Sequence, residues 1–256
     1  MRIALISDVH ANLPALEAVL ADIDARRATD ATFHLGDLVG YAPWPNEVVA
    51  CLAERAIAGV AGNYDSTVAT RYKHCGCRYE DAVQEALSHR SYAWTLDHVN
   101  DETRRRLAAL PFRIDLHPRG GHVSGPTITL VHGNQTLNTV YVTEDRSDDF
   151  LAKMGAALGA RSGDVVAFGH THKPWTRIVD GVRFVNAGSV GRPKDGDWRA
   201  GYVVLSVSDV GGDVDVEFRR VEYDVERAAR GIEESTLPRE FAAYLRSGGA
   251  SLVSAK

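Results

Sequence analysis

The stretch MRIALISDVHANLPALEAVLADID, residues 1–24, decides how the chain is built. Ile3 to Ser7 is a short apolar run that stops at Asp8, the pattern of a buried strand running into a polar loop. Beyond Pro14, which suits the first turn of a helix, Leu16, Val19, Leu20 and Ile23 recur at helical spacing. The same rhythm continues. Ala31–Leu35 reads as a second strand closed by Gly36-Asp37, Pro45–Arg55 as a helix with Val48, Val49 and Leu52 inward, and Ala56–Val60 as a third strand closed by Gly62-Asn63. This alternation predicts an α/β layered domain.

The rhythm breaks over residues 66–110, which read as a polar, Arg-rich helical insertion with no Gly/Ser linker. Strand patterns return at Phe112–Leu116, Thr127–Val131, Val165–Phe168, Arg177–Val179, Arg183–Val185, Tyr202–Val207 and Val214–Val221. A helix is expected near Ser147–Leu158 and two short ones within Asp224–Arg246. The turns Asp180-Gly181 and Gly211-Gly212 suit antiparallel pairing of the later strands.

Composition narrows the function classes. Of 256 residues, 45% are hydrophobic and 25% charged, which argues against a disordered chain. The net charge of −5 argues against tight nucleic-acid binding by phosphate neutralisation, although a local basic patch would be compatible with it. Three cysteines, Cys51, Cys75 and Cys77, make a disulfide framework an unexpected feature and favour reduced thiols in the cytoplasm. No apolar run approaches the roughly 18 residues of a membrane span, and the N-terminus lacks a signal-peptide pattern.

Donor residues stand where the predicted strands end: Asp8 and His10, Asp37, Asn63, His132, then His170 and His172. In layered α/β folds, sites form outside the carboxyl ends of the strands. Each motif alone has a plainer reading as a turn, a cap or a core histidine. Together they gather oxygen and nitrogen donors of the kind that bind divalent ions.

The set Asp8-x-His10, Gly36-Asp37, Gly62-Asn63-Tyr64-Asp65, His132-Gly133 and Gly169-His170-Thr171-His172 resembles the calcineurin-like metallophosphoesterases, closest to their small bacterial and archaeal phosphodiesterase branch. The segments GDLVGYAPWPNEVV and NAGSVGRPKDGD share that likeness. The resemblance covers nearly the whole chain. It implies one metallophosphoesterase domain over residues 1–256, a four-layer αββα sandwich of two mixed sheets flanked by helices, with the insertion as a small helical cap. It also implies a centre of two divalent metal ions, manganese first, with iron, zinc, nickel or cobalt also suited to these donors. Asp8, His10 and His172 would take one metal, Asn63, His132 and His170 the other, and Asp37 would bridge them. The implied reaction is hydrolysis of a phosphodiester or activated phosphate ester by a metal-bound hydroxide. Asp37, Asn63, His10 and Asp65 are then the catalytic candidates, with Asp65 expected to orient a neighbour such as His10.

The chain departs from the wider family at Tyr64, where many members carry a histidine that protonates the leaving group or grips the phosphate. A phenol with pKa near 10 is a poor proton donor at pH 7. Tyr64 is therefore either a substrate contact or a packing residue at the rim. Asn12 is a candidate phosphate contact or the N-cap of the first helix. In the insertion, Arg71, Tyr72, Lys73, His74 and Arg78 form a cationic cluster, and Arg71 and Lys73 are expected to contact a substrate with extra phosphates. Cys75 and Cys77 read as two reduced thiols, Arg104-Arg105-Arg106 as a solvated helix face, and Arg192 and Lys194 as surface charge in a turn or a second phosphate grip. Tyr41, Trp44, Trp175 and Trp198 are candidates to stack on a nucleobase.

The expected partner is a nucleotide-like phosphate ester of small size, with neither membrane nor nucleic acid. The alternatives are a dinucleoside polyphosphate (diadenosine tetraphosphate) hydrolase, a protein serine/threonine phosphatase, a nuclease, or a non-catalytic metal-binding scaffold.

Overall fold

Ile3 and Leu5 leave strand β1 (Arg2–Ile6) on one side and Ala4 and Ile6 on the other, and each pair enters a different apolar core. A strand covered on both faces belongs to the middle of a layered structure. The computed structural model describes residues 1–26, 29–78, 81–118, 125–208 and 213–249.

After β1 come α1 (Leu13–Arg26), β2 (Ala31–His34), α2 (Pro45–Glu54) and β3 (Ala58–Gly59). Helices α3 (Asn63–Ala69), α4 (Ala82–His98) and α5 (Asp101–Ala108) form the insertion. Then follow β4 (Ile114–Leu116), β5 (Ile128–Leu130), α6 (Asp148–Leu158), β6 (Val165–Phe168), β7 (Trp175–Val179) and β8 (Val182–Asn186). The chain continues through β9 (Ala200–Val207), β10 (Val214–Val221), α7 (Val225–Glu234) and α8 (Glu240–Arg246).

The strands make two mixed five-stranded sheets, ordered β10-β9-β1-β2-β3 and β4-β5-β6-β8-β7. In the first, β1, β2 and β3 run parallel and β9 and β10 antiparallel. In the second, β5, β6 and β8 run parallel, with β4 and β7 antiparallel at the edges. Ile3, Leu5, Leu35, Val203 and Leu205 meet Ile128, Leu130, Val165, Ala167 and Val185 between the sheets. The outer face of the first sheet packs on α1, α2, α7 and α8 through residues such as Leu16, Val48, Ile232 and Phe241. The outer face of the second sheet packs on α6 through Leu151, Met154 and Leu158. The layers are therefore helix, sheet, sheet, helix, as expected.

Some boundaries differ from the sequence reading. β3 is confined to Ala58–Gly59, because Ala56 has a left-handed backbone (φ 53°) that ends the turn after α2. β4 begins at Ile114, not Phe112, and β7 begins at Trp175, paired with Asn186. The insertion starts as a helix at Asn63 itself, where Asp65 accepts a hydrogen bond from the Gly62 N–H at 3.0 Å. Arg104 is half-buried and not simply part of a solvated face: its guanidinium donates to the carbonyls of Val68, Leu96 and Val99, tying α5 to α3 and to the end of α4. Cys75 and Cys77 are joined by a disulfide and Cys51 is free, which corrects the expectation of reduced thiols in the insertion. The Gly211-Gly212 turn lies outside the described residues. Among the described residues no helix is long and apolar enough to cross a membrane.

Candidate metal centre

Strand ends from both sheets deliver the donors to one place. Asp8 and His10 follow β1, Asp37 follows β2, and Asn63 opens α3 just after β3. His132 follows β5, and His170 and His172 follow β6. Asp8, His10, Asp37, His170 and His172 all have φ between 47° and 66°, a region that non-glycine residues enter at a cost of order 1 kcal/mol or more. Cross-loop hydrogen bonds hold them there. The Asp8 N–H donates to Gly36 O at 3.0 Å, the His10 N–H to Asp37 O at 3.0 Å and the Gly191 N–H to Asp8 O at 3.1 Å. Gly62 is required by close approach, since a β-carbon there would collide with the Asp37 carboxylate and backbone.

The side chains form two groups. In the first, His172 Nε2 is 3.2 Å from Asp8 Oδ1 and 3.2 Å from His10 Nε2. In the second, His132 Nε2 is 3.2 Å from His170 Nδ1 and 3.2 Å from Asn63 Oδ1. Asp37 stands between them, its Oδ2 3.7 Å from His10 Nε2 and 3.5 Å from His132 Nε2. All seven residues are at most 4% exposed.

Hydrogen bonding sets how these groups face. His10, His132 and His172 donate their Nδ1–H to the carbonyls of Val39 (3.0 Å), Leu35 (2.7 Å) and Arg192 (2.6 Å). That aims Nε2 of each inward, the arrangement that orients histidine as a metal ligand. Asp8 Oδ2 accepts from Ser7 Oγ (2.6 Å) and the His170 N–H (3.0 Å), whereas its buried Oδ1 has no hydrogen-bond partner among the described residues. Asp37 Oδ1 accepts from the Tyr64 N–H at 2.8 Å, leaving Oδ2 for the centre.

Burial, with His172 nearby, lowers the pKa of His10 to about 3, and burial first of all holds His170 and His172 well below the usual histidine value. Burial opposes charge on His132 too. There the Asp37 and Asp8 carboxylates and the Leu35 carbonyl outweigh it and raise the pKa to about 9. Neutral His10, His170 and His172 nitrogens, a His132 that would exchange its proton for a metal, and carboxylates with free inward oxygens fit two divalent cations.

The structure also separates the remaining candidates. Asp65 lies behind Asp37, accepting from the Leu38 N–H at 2.9 Å and the Gly62 N–H at 3.0 Å; it holds the Asp37 loop, and His10 is oriented by Val39 instead. Burial and the Asp37 charge raise its pKa to about 7. Asn12 is fully buried, donating to Gly191 O (2.9 Å) and Tyr223 Oη (3.3 Å) and accepting from the Ala15 N–H, so it caps α1 and pins the 191 loop. Tyr64 is 1% exposed and packs edge-on to His10 at 5.6 Å as a wall of the cleft. Arg71 and Lys73 are exposed and do not line the cleft; the cations that do are Arg78, Arg192 and Lys194. Arg192, read from the sequence as surface charge in a turn or a second phosphate grip, is buried. Of the four stacking candidates only Tyr41 reaches the cleft. The disulfide loop also reaches it, because Asn63 Nδ2 donates to Cys75 O at 3.0 Å and lies 3.3 Å from Cys77 Sγ.

Residues 1–210 match the sequence profile of the calcineurin-like phosphoesterase superfamily domain. An uncharacterized protein of Methanocaldococcus jannaschii is 30% identical over 253 residues, spanning 92% of this chain and 93% of its own. The crystal structure of a metallophosphoesterase from Sphaerobacter thermophilus superposes with a TM-score of 0.73 at 29% identity, covering 97% of this chain and 99% of that one. A hypothetical protein from Pyrococcus horikoshii OT3 shares the fold with a TM-score of 0.79 at 19% identity, covering 98% and 99%.

Proposed function

The chain belongs to the calcineurin-like phosphoesterase superfamily, and from that premise we propose that it is a dinuclear metal-dependent hydrolase of phosphodiesters or activated phosphate esters. The observation that carries the proposal is the pair of buried donor groups, Asp8/His10/His172 and Asp37/His132/His170, each with its ligand atoms within 4.8 Å of one another. Asn63 Oδ1 completes the second group and Asp37 Oδ2 serves both. Two divalent ions, when bound, supply Lewis-acid polarisation of the phosphoryl oxygens and lower the pKa of a water.

The protein's own groups decide which esters suit the site. Tyr64 puts a phenol where an imidazole would shuttle a proton, so nothing at that position exchanges a proton near pH 7. Leaving groups that depart without a proton, such as aryl oxides and phosphates, are therefore favoured over alkoxides. Asp65 keeps the Asp37 loop in register through Leu38 and Gly62. The insertion, read as a cap on a single catalytic unit, walls the cleft with Asn63 and Tyr64 of α3 and Gln84 and Ser88 of α4.

A dinucleoside polyphosphate is the second reading, favoured by Arg78, Arg192 and Lys194 in the cleft and by a neighbouring groove that shares Arg78 and Tyr141 with it and adds Arg146 and Lys153. The test is a rate panel on metal-stripped protein reloaded with manganese, using an aryl phosphodiester, an aryl phosphomonoester and diadenosine tetraphosphate, with Asp37→Asn as control. A dominant diester rate lost in the control supports the main reading. A dominant polyphosphate rate moves the assignment to the second. Three rates equal to the control would leave a metal-binding scaffold.

A further inference from the structure

Arg192 is a buried cation with no carboxylate partner among the described residues. It is 7% exposed, and its guanidinium carbon lies 4.0 Å from the Tyr41 ring centroid and 4.1 Å from that of Tyr244. Among the described residues no carboxylate pairs with it and no side-chain hydrogen bond engages it. Two ring faces stabilise a guanidinium by cation–π attraction, yet they leave its planar edge of N–H donors unused. An arginine held this way at the wall of a cleft, with no carboxylate beside it, presents its donors to an anion that enters the cleft.

Its position is tied to the metal centre. The Arg192 carbonyl accepts the His172 Nδ1–H at 2.6 Å. Its N–H donates to Ser189 Oγ at 2.8 Å, and that hydroxyl donates to Asp8 O at 2.7 Å. The ring of Tyr41 that carries the guanidinium also meets His10, with centroids 4.9 Å apart. The side chain lines the same cleft as His10, Asp37, Asn63, Tyr64 and His172.

We propose that Arg192 is the anion clamp of this site, its guanidinium edge holding phosphate oxygens of the substrate beside Tyr64 and stabilising negative charge on the leaving group. The proposal rests on the phosphoesterase reading and deepens it. In hydrolysis the water oxygen bonds to phosphorus, the bond from phosphorus to the leaving oxygen breaks, and its electron pair departs with that oxygen. The proton released by the water goes to solvent. A guanidinium does not surrender its proton, so it meets the departing charge as a fixed cation and not as an acid. The substrate class that fits is one whose leaving group is itself a phosphate or another stable anion.

The test compares wild type with R192Q, R192M and R192K, all reloaded with manganese. R192M keeps an apolar stem between Tyr41 and Tyr244 without the charge, and R192K keeps the charge without the fork. Calorimetric affinity for inorganic phosphate and for pyrophosphate, metal content, and kcat and KM on an aryl phosphodiester are read for each. The expected result is a loss of at least about tenfold in phosphate and pyrophosphate affinity in R192Q and R192M, with metal content intact and part of the loss recovered in R192K. Unchanged anion affinity in R192M at full metal content would overturn the clamp. So would metal loss in both uncharged variants, which would make Arg192 a support for His172 alone. Anion binding is read without turnover, so wild type that binds phosphate through Arg192 but hydrolyses nothing would sink the phosphoesterase reading and spare the clamp. Turnover with anion binding indifferent to Arg192 would do the reverse.

Discussion

His10 and His172 face each other through their Nε2 atoms at 3.2 Å, while each gives its Nδ1 proton to a backbone carbonyl. Both are held neutral, chiefly by burial, so two lone pairs point at one another beside the free Oδ1 of Asp8. A cation shared by the three relieves that repulsion. Metal should therefore stabilise the fold strongly. At a free metal concentration 100 times its Kd the gain is about 2.7 kcal/mol. That corresponds to roughly 5–10 °C in Tm for a chain of this size. Thermal melts with and without a chelator check this, and identical melting temperatures would contradict it.

Asp37 serves both groups, with Oδ2 3.7 Å from His10 Nε2 and 3.5 Å from His132 Nε2. Asp37→Asn keeps the shape and removes the charge that offsets two cations. Activity should fall by about three orders of magnitude, a loss of several kcal/mol in transition-state stabilisation. Metal content should fall with it, as read by elemental analysis of the purified variant.

The pH dependence of metal binding follows from His132, raised to about 9 in the metal-free protein. Below that pH a metal ion must displace its proton, so affinity at the His132 group should rise about tenfold per pH unit and level off near pH 9. The sign is opposite for apoprotein stability. A histidine with a raised folded pKa contributes stability that is complete below its unfolded value near 6.5 and is lost as pH rises through 9. Competition with a coloured chelator from pH 6 to 9 measures the first trend. An affinity flat over that range would contradict it.

Arg104 binds three backbone carbonyls, on Val68, Leu96 and Val99. Arg104→Ala removes the guanidinium from all three carbonyls, leaving Val68 O only the Arg71 N–H, and should destabilise the chain by about 2–3 kcal/mol, the range for charge-assisted hydrogen bonds. Hydrogen exchange should rise first in α3, α4 and α5. A shift in denaturation midpoint spread evenly over all helices would count against a local clamp.

Much of the centre was readable because its donors follow apolar runs directly. Asp8, His132 and His170 each sit two positions past a strand and Asp37 three, so strand period and donor type together locate them. Gly62-Asn63 is legible in the same way, as the turn after the third strand, and the structure adds why glycine stands there, the tight approach of two loops at Asp37. What stayed hidden depends on distant packing. Arg192 looks like turn charge until Tyr41 and Tyr244 close on its two faces. Arg71, Lys73 and Arg78 share one cationic stretch, and only the path of the loop sends Arg78 to the cleft. Asp65 was assigned a histidine to orient, but its carboxylate meets the nearer N–H groups of Leu38 and Gly62. The charge run Arg104-Arg105-Arg106 reads as a solvated face, because the carbonyls that Arg104 binds become available only when α3 and α4 end beside it.

The central claim is that two metal ions act together in one centre. Its most direct test is titration of metal-stripped protein with manganese while hydrolysis of an aryl phosphodiester is followed. The account predicts a rate that stays low through the first equivalent, rises through the second and saturates at two per chain, with Asp37→Asn flat throughout. Full activity at one equivalent, or an Asp37→Asn curve matching wild type, would contradict it.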